Sequence, residues 1–262
     1  MNKLLISIPL FSLLLLINFN AISQNAEKET KRLKYFELEV GNESFDSEIP
    51  KYDFIRGDID YFGAGTSADH IEGFCTKWYV GIKTEIRSKS NKFGLSGGIR
   101  YSHMGSSFGK DSYWGNSNDY FYLLLNQNET STEFLKINEV NQTSNHLSVP
   151  IELKFFPFGE RLFRLYFKLG VEFNYLINTN MEVEFDNKAM DQYESDVLSK
   201  FSETDNVYTA FYGVAGWSIN LQKGTILNIE AVVPSLVANN YTTGLLSPSV
   251  GGGVKLSIQL PY

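Results

Sequence analysis

Two residues, His146 and Ser148, have types and spacing that could support nucleophilic catalysis. Residues two apart on a β-strand point to the same face, so the imidazole could activate the hydroxyl if a carboxylate such as Glu152 or Glu230 oriented it. The same residues also fit an ordinary strand end, where His and Ser need no catalytic role. We favour this second interpretation and predict a protein that is not an enzyme and has no catalytic residues.

Metal ligation is a second chemistry to consider. The three histidines, His70, His103 and His146, are far apart and lack the paired spacing of a zinc or copper site. Acidic residues are concentrated in residues 43–72 and 182–205, without the ligand ladder of an EF-hand. These segments could hold divalent cations or bind a basic partner, but a solvated acidic surface is the simpler interpretation. We predict no metal site and no cofactor.

The single cysteine, Cys75, falls in a segment that we predict to be a loop. One cysteine cannot form an internal disulfide, and only Lys77 is close enough in sequence to activate the thiol. We therefore predict an incidental thiol.

Overall charge limits the possible partners. The formal net charge is -7 and the sequence pI is near 5.1. Phosphate binding needs a basic face, so the composition argues against nucleic acid as a partner. The aromatic content of 15% fits either girdles at a membrane interface or an aromatic core.

These side chains must be positioned by β-strands, because strand periodicity is the strongest pattern in the chain. In residues 165–175 every odd position is large and apolar, and every even position is polar, small or amphipathic. The same alternation recurs in seven more segments, beginning near residues 36, 78, 93, 147, 211, 227 and 254. The pattern predicts an all-β fold: a transmembrane antiparallel up-and-down β-barrel of about eight strands.

Connections between the segments alternate in length. Tight turns are predicted at residues 89–91, 159–161 and 222–224, and long polar connections at 42–76, 105–144, 178–206 and 235–248. This is the rhythm of short periplasmic turns and long extracellular loops in outer-membrane barrels. It predicts periplasmic N- and C-termini.

The polar face of the strands predicts the contents of the barrel. Charged residues of both signs share that face: Glu37, Glu39, Lys83, Glu85, Arg87, Arg100, Glu152, Lys154, Lys168, Glu172, Glu230 and Lys255. An eight-stranded barrel is just wide enough for side chains to fill. We therefore expect these groups to pair and to plug the lumen, since a buried carboxylate without its cation is costly.

The N-terminus has the pattern of a secretory signal peptide. Lys3 precedes an apolar stretch through Phe19, and the small-x-small site at residues 21–23 predicts cleavage before Gln24. We predict a signal peptide over residues 1–23 and one barrel domain over residues 24–262.

One stretch resembles a known family. Residues 146–156, His-Leu-Ser-Val-Pro-Ile-Glu-Leu-Lys-Phe-Phe, are similar to a strand of the PorT-like outer-membrane β-barrel proteins, and residues 251–256, Gly-Gly-Gly-Val-Lys-Leu, are similar to the closing strand of that family. The resemblance implies a porin-like barrel in the outer membrane, and it implies fold and location more than chemistry.

The pattern and the resemblance together suggest a function class. We expect an outer-membrane protein with a structural or interaction role through long extracellular loops. Its partners would be outer-membrane lipid and lipopolysaccharide, together with an unidentified extracellular or periplasmic protein. A narrow porin for small solutes is the alternative, and a lipid A-modifying enzyme is less favoured.

Overall fold

The computed structural model describes residues 33–50, 52–56, 73–109, 121–127, 132–158, 163–201, 203–221, 224–238 and 243–262. The predicted signal peptide, residues 1–23, lies outside the described residues and stays a prediction. Within the described residues the helices are too short and too polar to cross a membrane.

All eight predicted segments lie in strands. The strands are β1 Lys34–Glu48, β2 Ile55–Arg56, β3 Gly73–Arg87, β4 Phe93–Phe108, β5 Phe121–Gln127, β6 Thr132–Phe155, β7 Phe163–Phe185, β8 Val207–Asn220, β9 Ile226–Val237 and β10 Ser247–Pro261. Between β7 and β8 lie a 3₁₀ helix, Lys188–Tyr193, and a single-turn helix α1, Glu194–Leu198.

Eight long strands close into a barrel in which every neighbouring pair is antiparallel. Their order is β1, β3, β4, β6, β7, β8, β9 and β10, and β10 returns to pair with β1. The short strands β2 and β5 extend the sheet beside β6. The predicted all-β, antiparallel up-and-down architecture of about eight strands is therefore confirmed.

Side-chain direction follows the alternation of the sequence. On β7, Leu169 is 71% exposed on the outside of the barrel, whereas its neighbour Lys168 is 1% exposed and points inward. Leucines, isoleucines, valines and aromatics repeat this outward position on the other strands. The barrel therefore presents an apolar exterior and a polar interior, the reverse of a soluble domain.

The ends of the barrel differ. At the turn end, β3 and β4 are joined by a tight turn in which Asn91 has a positive φ of 53° and the Ser88 N–H donates to the Phe93 carbonyl at 2.8 Å. The predicted turn at 159–161 lies outside the described residues, and of 222–224 only Gly224 is described. At the opposite end, which we call the loop end, the connections between strands are shorter than the sequence predicted.

The predicted connections contain regular structure because apolar residues within them pack together. Strands β2 and β5 and the upper parts of β6 and β7 lie in segments predicted as loops. With parts of several connections, they form an apolar cap across the loop end of the lumen, made of Phe45, Ile55, Cys75, Met104, Phe108, Phe121, Leu123, Leu135, Ile137, Val140, Phe185, Val197, Phe201, Tyr208, Ala210, Leu245 and Leu246.

Hydrogen bonds and ring contacts fasten the segments of the cap to one another. The Tyr52 hydroxyl donates to the carbonyls of Gly244 at 2.9 Å and Leu245 at 3.1 Å. Its ring meets Phe201 edge-on, with ring centroids 5.3 Å apart. The Leu245 N–H donates to Gln142 Oε1 at 3.1 Å. Three separate connections therefore meet above the barrel.

Candidate functional site

The lumen holds a network of buried charges, which is the candidate functional site. All twelve charged residues predicted to face inward are buried. Strand geometry explains this result, because each lies on the same side of its strand as its predicted neighbours two residues away. Among the described residues, three further charged side chains are buried with them: Glu43, Lys77 and Arg164.

Glu152 on β6 is the hub of the network. Its carboxylate oxygens accept from Lys83 Nζ at 2.7 Å, Lys255 Nζ at 3.1 Å, Lys168 Nζ at 3.2 Å and Tyr212 Oη at 2.9 Å. These donors come from four other strands, β3, β10, β7 and β8. Ser96 Oγ on β4 also donates to Glu152 at 3.1 Å, so one carboxylate ties together six of the eight strands across the barrel.

Other carboxylates share the same cations. Glu230 lies 2.7 Å from both Lys168 Nζ and Lys255 Nζ and accepts from Tyr166 Oη at 2.6 Å. Glu39 lies 2.8 Å from Lys83 Nζ. Each of the twelve predicted charges has an opposite charge within 4 Å, as the cost of burying an unpaired ion requires.

Towards the loop end, Arg100 and Lys77 complete the network. Glu172 accepts from Lys77 Nζ at 2.6 Å and pairs with Arg100, whose guanidinium also donates to Glu39. The Arg100 guanidinium lies 4.1 Å from the Tyr79 ring centroid, a cation–π distance.

Towards the turn end, an amide and an aromatic ring finish the network. Gln259 donates to Glu37 at 2.5 Å and to Glu85 at 2.7 Å, and accepts from Arg87 at 2.7 Å. The guanidiniums of Arg87 and Arg164 lie 4.7 and 3.7 Å from the ring centroid of Phe156. Charge and aromatic surface therefore continue to the turn end of the barrel.

Glycines make room for the luminal tyrosines. A Cβ added at Gly41 would overlap the ring of Tyr79, and a Cβ added at Gly170 would overlap the ring of Tyr212. These tyrosines lie flat against the barrel wall, which leaves the axis to the charged side chains. A side chain at either glycine would displace a ring that packs within the network.

The catalytic arrangement considered for His146 and Ser148 is not assembled. Both face the lumen, as the spacing predicted. However, Ser148 Oγ donates to Asn174 Oδ1 at 2.6 Å, and neither nitrogen of His146 makes a hydrogen bond among the described residues. Glu152, suggested as the orienting carboxylate, is occupied by lysines. The geometry gives the hydroxyl no base.

The two described histidines, His103 and His146, lie on opposite sides of the barrel wall. His103 lies outside, where its ring is 5.5 Å from the Trp78 ring, and His146 lies inside. His70 lies outside the described residues. Within the part of the chain that the structure describes, no group of three or more His, Cys, Asp or Glu side chains is arranged to hold a metal ion.

The sequence-based placements of Cys75 and Glu43 were wrong. Cys75 lies in β3, not in a loop, and its buried sulfur is 3.7 Å from Ser106 Oγ. Glu43 lies in β1 and faces the lumen, although it was grouped with a solvated acidic loop. In both cases the strand continues past its apolar stretch, because its backbone is still paired with a neighbouring strand.

No family model and no curated protein match this sequence. Among solved structures, the outer membrane protein OprG from Pseudomonas aeruginosa is 12% identical, with a TM-score of 0.42, covering 89% of this chain and 99% of that one. The attachment invasion locus protein Ail of Yersinia pestis, solved with the heparin analogue sucrose octasulfate, is 9% identical, with a TM-score of 0.38, covering 89% and 100%.

The outer membrane protein W of E. coli is 10% identical to this chain. Its TM-score is 0.38, and the match covers 89% of this chain and 100% of that chain. These likenesses assign no activity or partner to the chain.

Sequence reasoning missed Lys77, Arg164 and Gln259 as members of the site. Lys77 has the same parity as Lys83 on β3, and Arg164 has the same parity as Lys168 on β7. Extending the alternation of β3 and β7 by one residue would have found Lys77 and Arg164, whereas Gln259 lies within the predicted closing segment and was missed because it carries no charge. The limit was set by where the apolar residues became sparse, not by where the strand ended.

Proposed function

We propose that this chain is an outer-membrane β-barrel protein with a structural or interaction role, whose lumen is plugged by its own charged side chains. The observation that carries the proposal is the reversed polarity of the closed barrel. Charged residues fill its interior, while apolar side chains such as Leu169, Val233 and Val254 stand outside, at 71%, 68% and 66% exposure. Water disfavours so large an apolar surface, whereas a bilayer requires one.

A polar and aromatic belt supports a membrane border near the loop end. On the outer wall, Tyr101 Oη donates to Asn145 Oδ1 at 2.8 Å, and Asn145 Nδ2 donates to Asn178 Oδ1 at 2.8 Å. Trp78 packs beside this chain of hydrogen bonds, with its ring 6.1 Å from that of Tyr101. Such amphipathic groups are enriched where lipid meets water.

The distance across the apolar band fits the same location. Phe93 at the turn end and Tyr101 in the belt are eight residues apart on β4. At about 3.4 Å per residue the strand spans about 27 Å, and a tilt of about 40° reduces this to about 20 Å along the membrane normal. This height is close to the apolar band of outer-membrane barrels, about 25 Å.

The parts beyond the belt are suited to contact with a partner. There β6 and β7 continue past the barrel, and the exposed side chains of Glu182, Glu184 and Asp186 make this region acidic. The proposed partner is the lipopolysaccharide surface, a ligand or another protein. The PorT-like resemblance and the signal peptide also remain proposals, and both agree with the outer-membrane location.

Conductance in a planar bilayer tests the plugged lumen. Protein refolded into lipid should give no steady ion current, because ion pairs and aromatic rings occupy the barrel from Phe156 to the apolar cap. A double variant, Lys83→Ala with Glu152→Ala, should give a measurable current if it still shows the heat-dependent gel shift of a folded barrel. A steady large current from the unaltered protein would instead establish the narrow pore.

Solubility tests the membrane assignment separately. The mature protein should need detergent or lipid to stay dispersed, because of its apolar exterior. A monomer that is fully soluble without detergent would overturn the proposal.

A further inference from the structure

Where the charge network meets the apolar cap lies one level of the lumen that we call the His146 layer, made of His146, Ser102 and the cap residue Tyr208. Ser102 on β4 lies directly opposite His146 on β6 in the strand register. The ring of Tyr208 on β8 meets the imidazole edge-on, with centroids 5.1 Å apart. All three residues are buried, at 0%, 0% and 1% exposure.

The polar atoms of this layer are not satisfied by the protein. Among the described residues, no group makes a hydrogen bond with His146 Nδ1, His146 Nε2, Ser102 Oγ or Tyr208 Oη. A buried polar group without a partner costs about 1–3 kcal/mol. Four such atoms on three side chains that meet would form a costly polar defect in the lumen.

The surrounding polar groups are already engaged with one another. Ser148 donates to Asn174 at 2.6 Å, and Ser144 Oγ lies 3.1 Å from Thr179 Oγ1. The nearest cation, Lys77, is bound to Glu172 at 2.6 Å. None of these groups makes a hydrogen bond with the imidazole.

We propose that the His146 layer is a binding site for ordered water, in which water bridges the imidazole to Ser102. A neutral imidazole has one donor and one acceptor, and a hydroxyl has both, so water can satisfy every one of these atoms. Directly opposite residues have Cβ atoms about 5 Å apart, which one water molecule can bridge. Buried water of this kind makes about three hydrogen bonds.

The water is enclosed and does not form part of a channel. Below it, Arg100, Lys77 and Glu172 close the network, and above it the apolar cap offers few polar groups to extend a chain of water. This inference rests on the closed lumen proposed above. It concerns a single layer, so it can fail while the lumen remains non-conducting.

A crystal structure of the refolded protein tests the site directly. Water should be present within about 3.2 Å of both His146 nitrogens, with one molecule also in contact with Ser102 Oγ. A layer without water, or one in which the imidazole bonds directly to a protein group, would overturn the proposal. Bilayer conductance of the same preparation reports separately on the closed lumen.

Two variants give a solution measurement that does not depend on crystals. In protein labelled with ¹⁵N-histidine, the imidazole N–H of His146 should show magnetisation transfer with water, and His146→Phe identifies the signal by its loss. Ser102→Ala removes one anchor of the bridge and should weaken or shift this signal while leaving the His103 signal unchanged. If Ser102→Ala leaves the His146 signal as in the unaltered protein, the bridge does not exist.

Discussion

At the residue scale, Glu152 shows why the lumen is charged but balanced. Three ammonium groups and a tyrosine hydroxyl donate to its two oxygens. A buried ion pair stabilises a fold little more than an apolar pair of similar volume. Removing one partner, however, leaves the remaining buried charges without compensation. Glu152 therefore contributes to stability mainly because the cations around it would be buried without a counter-charge in its absence.

Glu152→Gln is expected to lower the free energy of unfolding by about 3–5 kcal/mol, since the substitution keeps the shape and removes the charge that Lys83, Lys168 and Lys255 share. Urea unfolding in lipid vesicles, followed by tryptophan fluorescence, measures this. Glu184→Gln is the matched control, because Glu184 is exposed, and it should change stability by less than about 0.5 kcal/mol. Equal effects would mean that the network does not depend on its hub.

Gly41→Ala should destabilise the barrel by about 1–3 kcal/mol, because the added methyl group would overlap the ring of Tyr79 and force it into the packed network. Gly105→Ala is the control. A Cβ there would come no closer than 3.8 Å to Thr76 Oγ1, an ordinary contact. The same urea titration compares the two, and a harmless Gly41→Ala would show that the ring has room to move.

At the element scale, the strands serve two environments along their length. The middle of β7 alternates between apolar residues facing out and network residues facing in. In its upper part, between Asn178 and Glu184, polar side chains are exposed, and only Met181 and Val183 pack against the apolar cap. Both parts pair with β6. Backbone hydrogen bonding therefore continues where the apolar pattern ends, and a strand predicted from apolar residues alone is too short.

Leu169→Arg should destabilise the folded barrel by about 2–4 kcal/mol, because Leu169 is at the middle of the outer face of β7 and an arginine there would face hydrocarbon. Leu169→Met keeps the volume and the polarity and should cost less than about 1.5 kcal/mol. The folded fraction on a gel run without heating measures both. If the arginine were tolerated as well as the methionine, this face would not lie in lipid.

At the scale of the whole molecule, the barrel is closed at different levels by different chemistry. Ion pairs fill the middle, Phe156 lies beneath two guanidiniums at the turn end, and the apolar cap covers the loop end. Closing the sheet on itself leaves the eight long strands without free edges inside the apolar band, as a hydrocarbon environment requires. The turns are short and the loop end is elaborate, so the two ends are suited to different compartments.

An epitope tag inserted near Asn187 should bind antibody on intact cells, because this residue is exposed in the loop-end connection between β7 and β8. A tag in the turn at residues 89–91 should stay hidden until the outer membrane is permeabilised. Labelling of the turn alone would invert the topology. Equal labelling of both sites would mean that the chain does not span the membrane.

The sequence by itself determined the eight barrel strands and, within their apolar stretches, the face on which the apolar and charged side chains lie. These properties are local, because successive side chains on a strand point to opposite sides whatever the strand pairs with. That is why Lys168 and Leu169 could be placed inside and outside without a structure. The alternation could not be followed as far as Glu43 or Cys75, because apolar residues become sparse there.

Only the tertiary structure decided which charges meet and what closes the ends of the barrel. Glu152 meets Lys83 and Lys255 from strands distant in sequence, and the register of closure brings them within 2.7 and 3.1 Å. The apolar cap likewise gathers residues from connections that are separate in the chain. The sequence could not predict that the His146 nitrogens have no hydrogen-bond partner among the described residues. Whether a partner is present depends on the side chains of all the surrounding strands and not on the strand that carries His146.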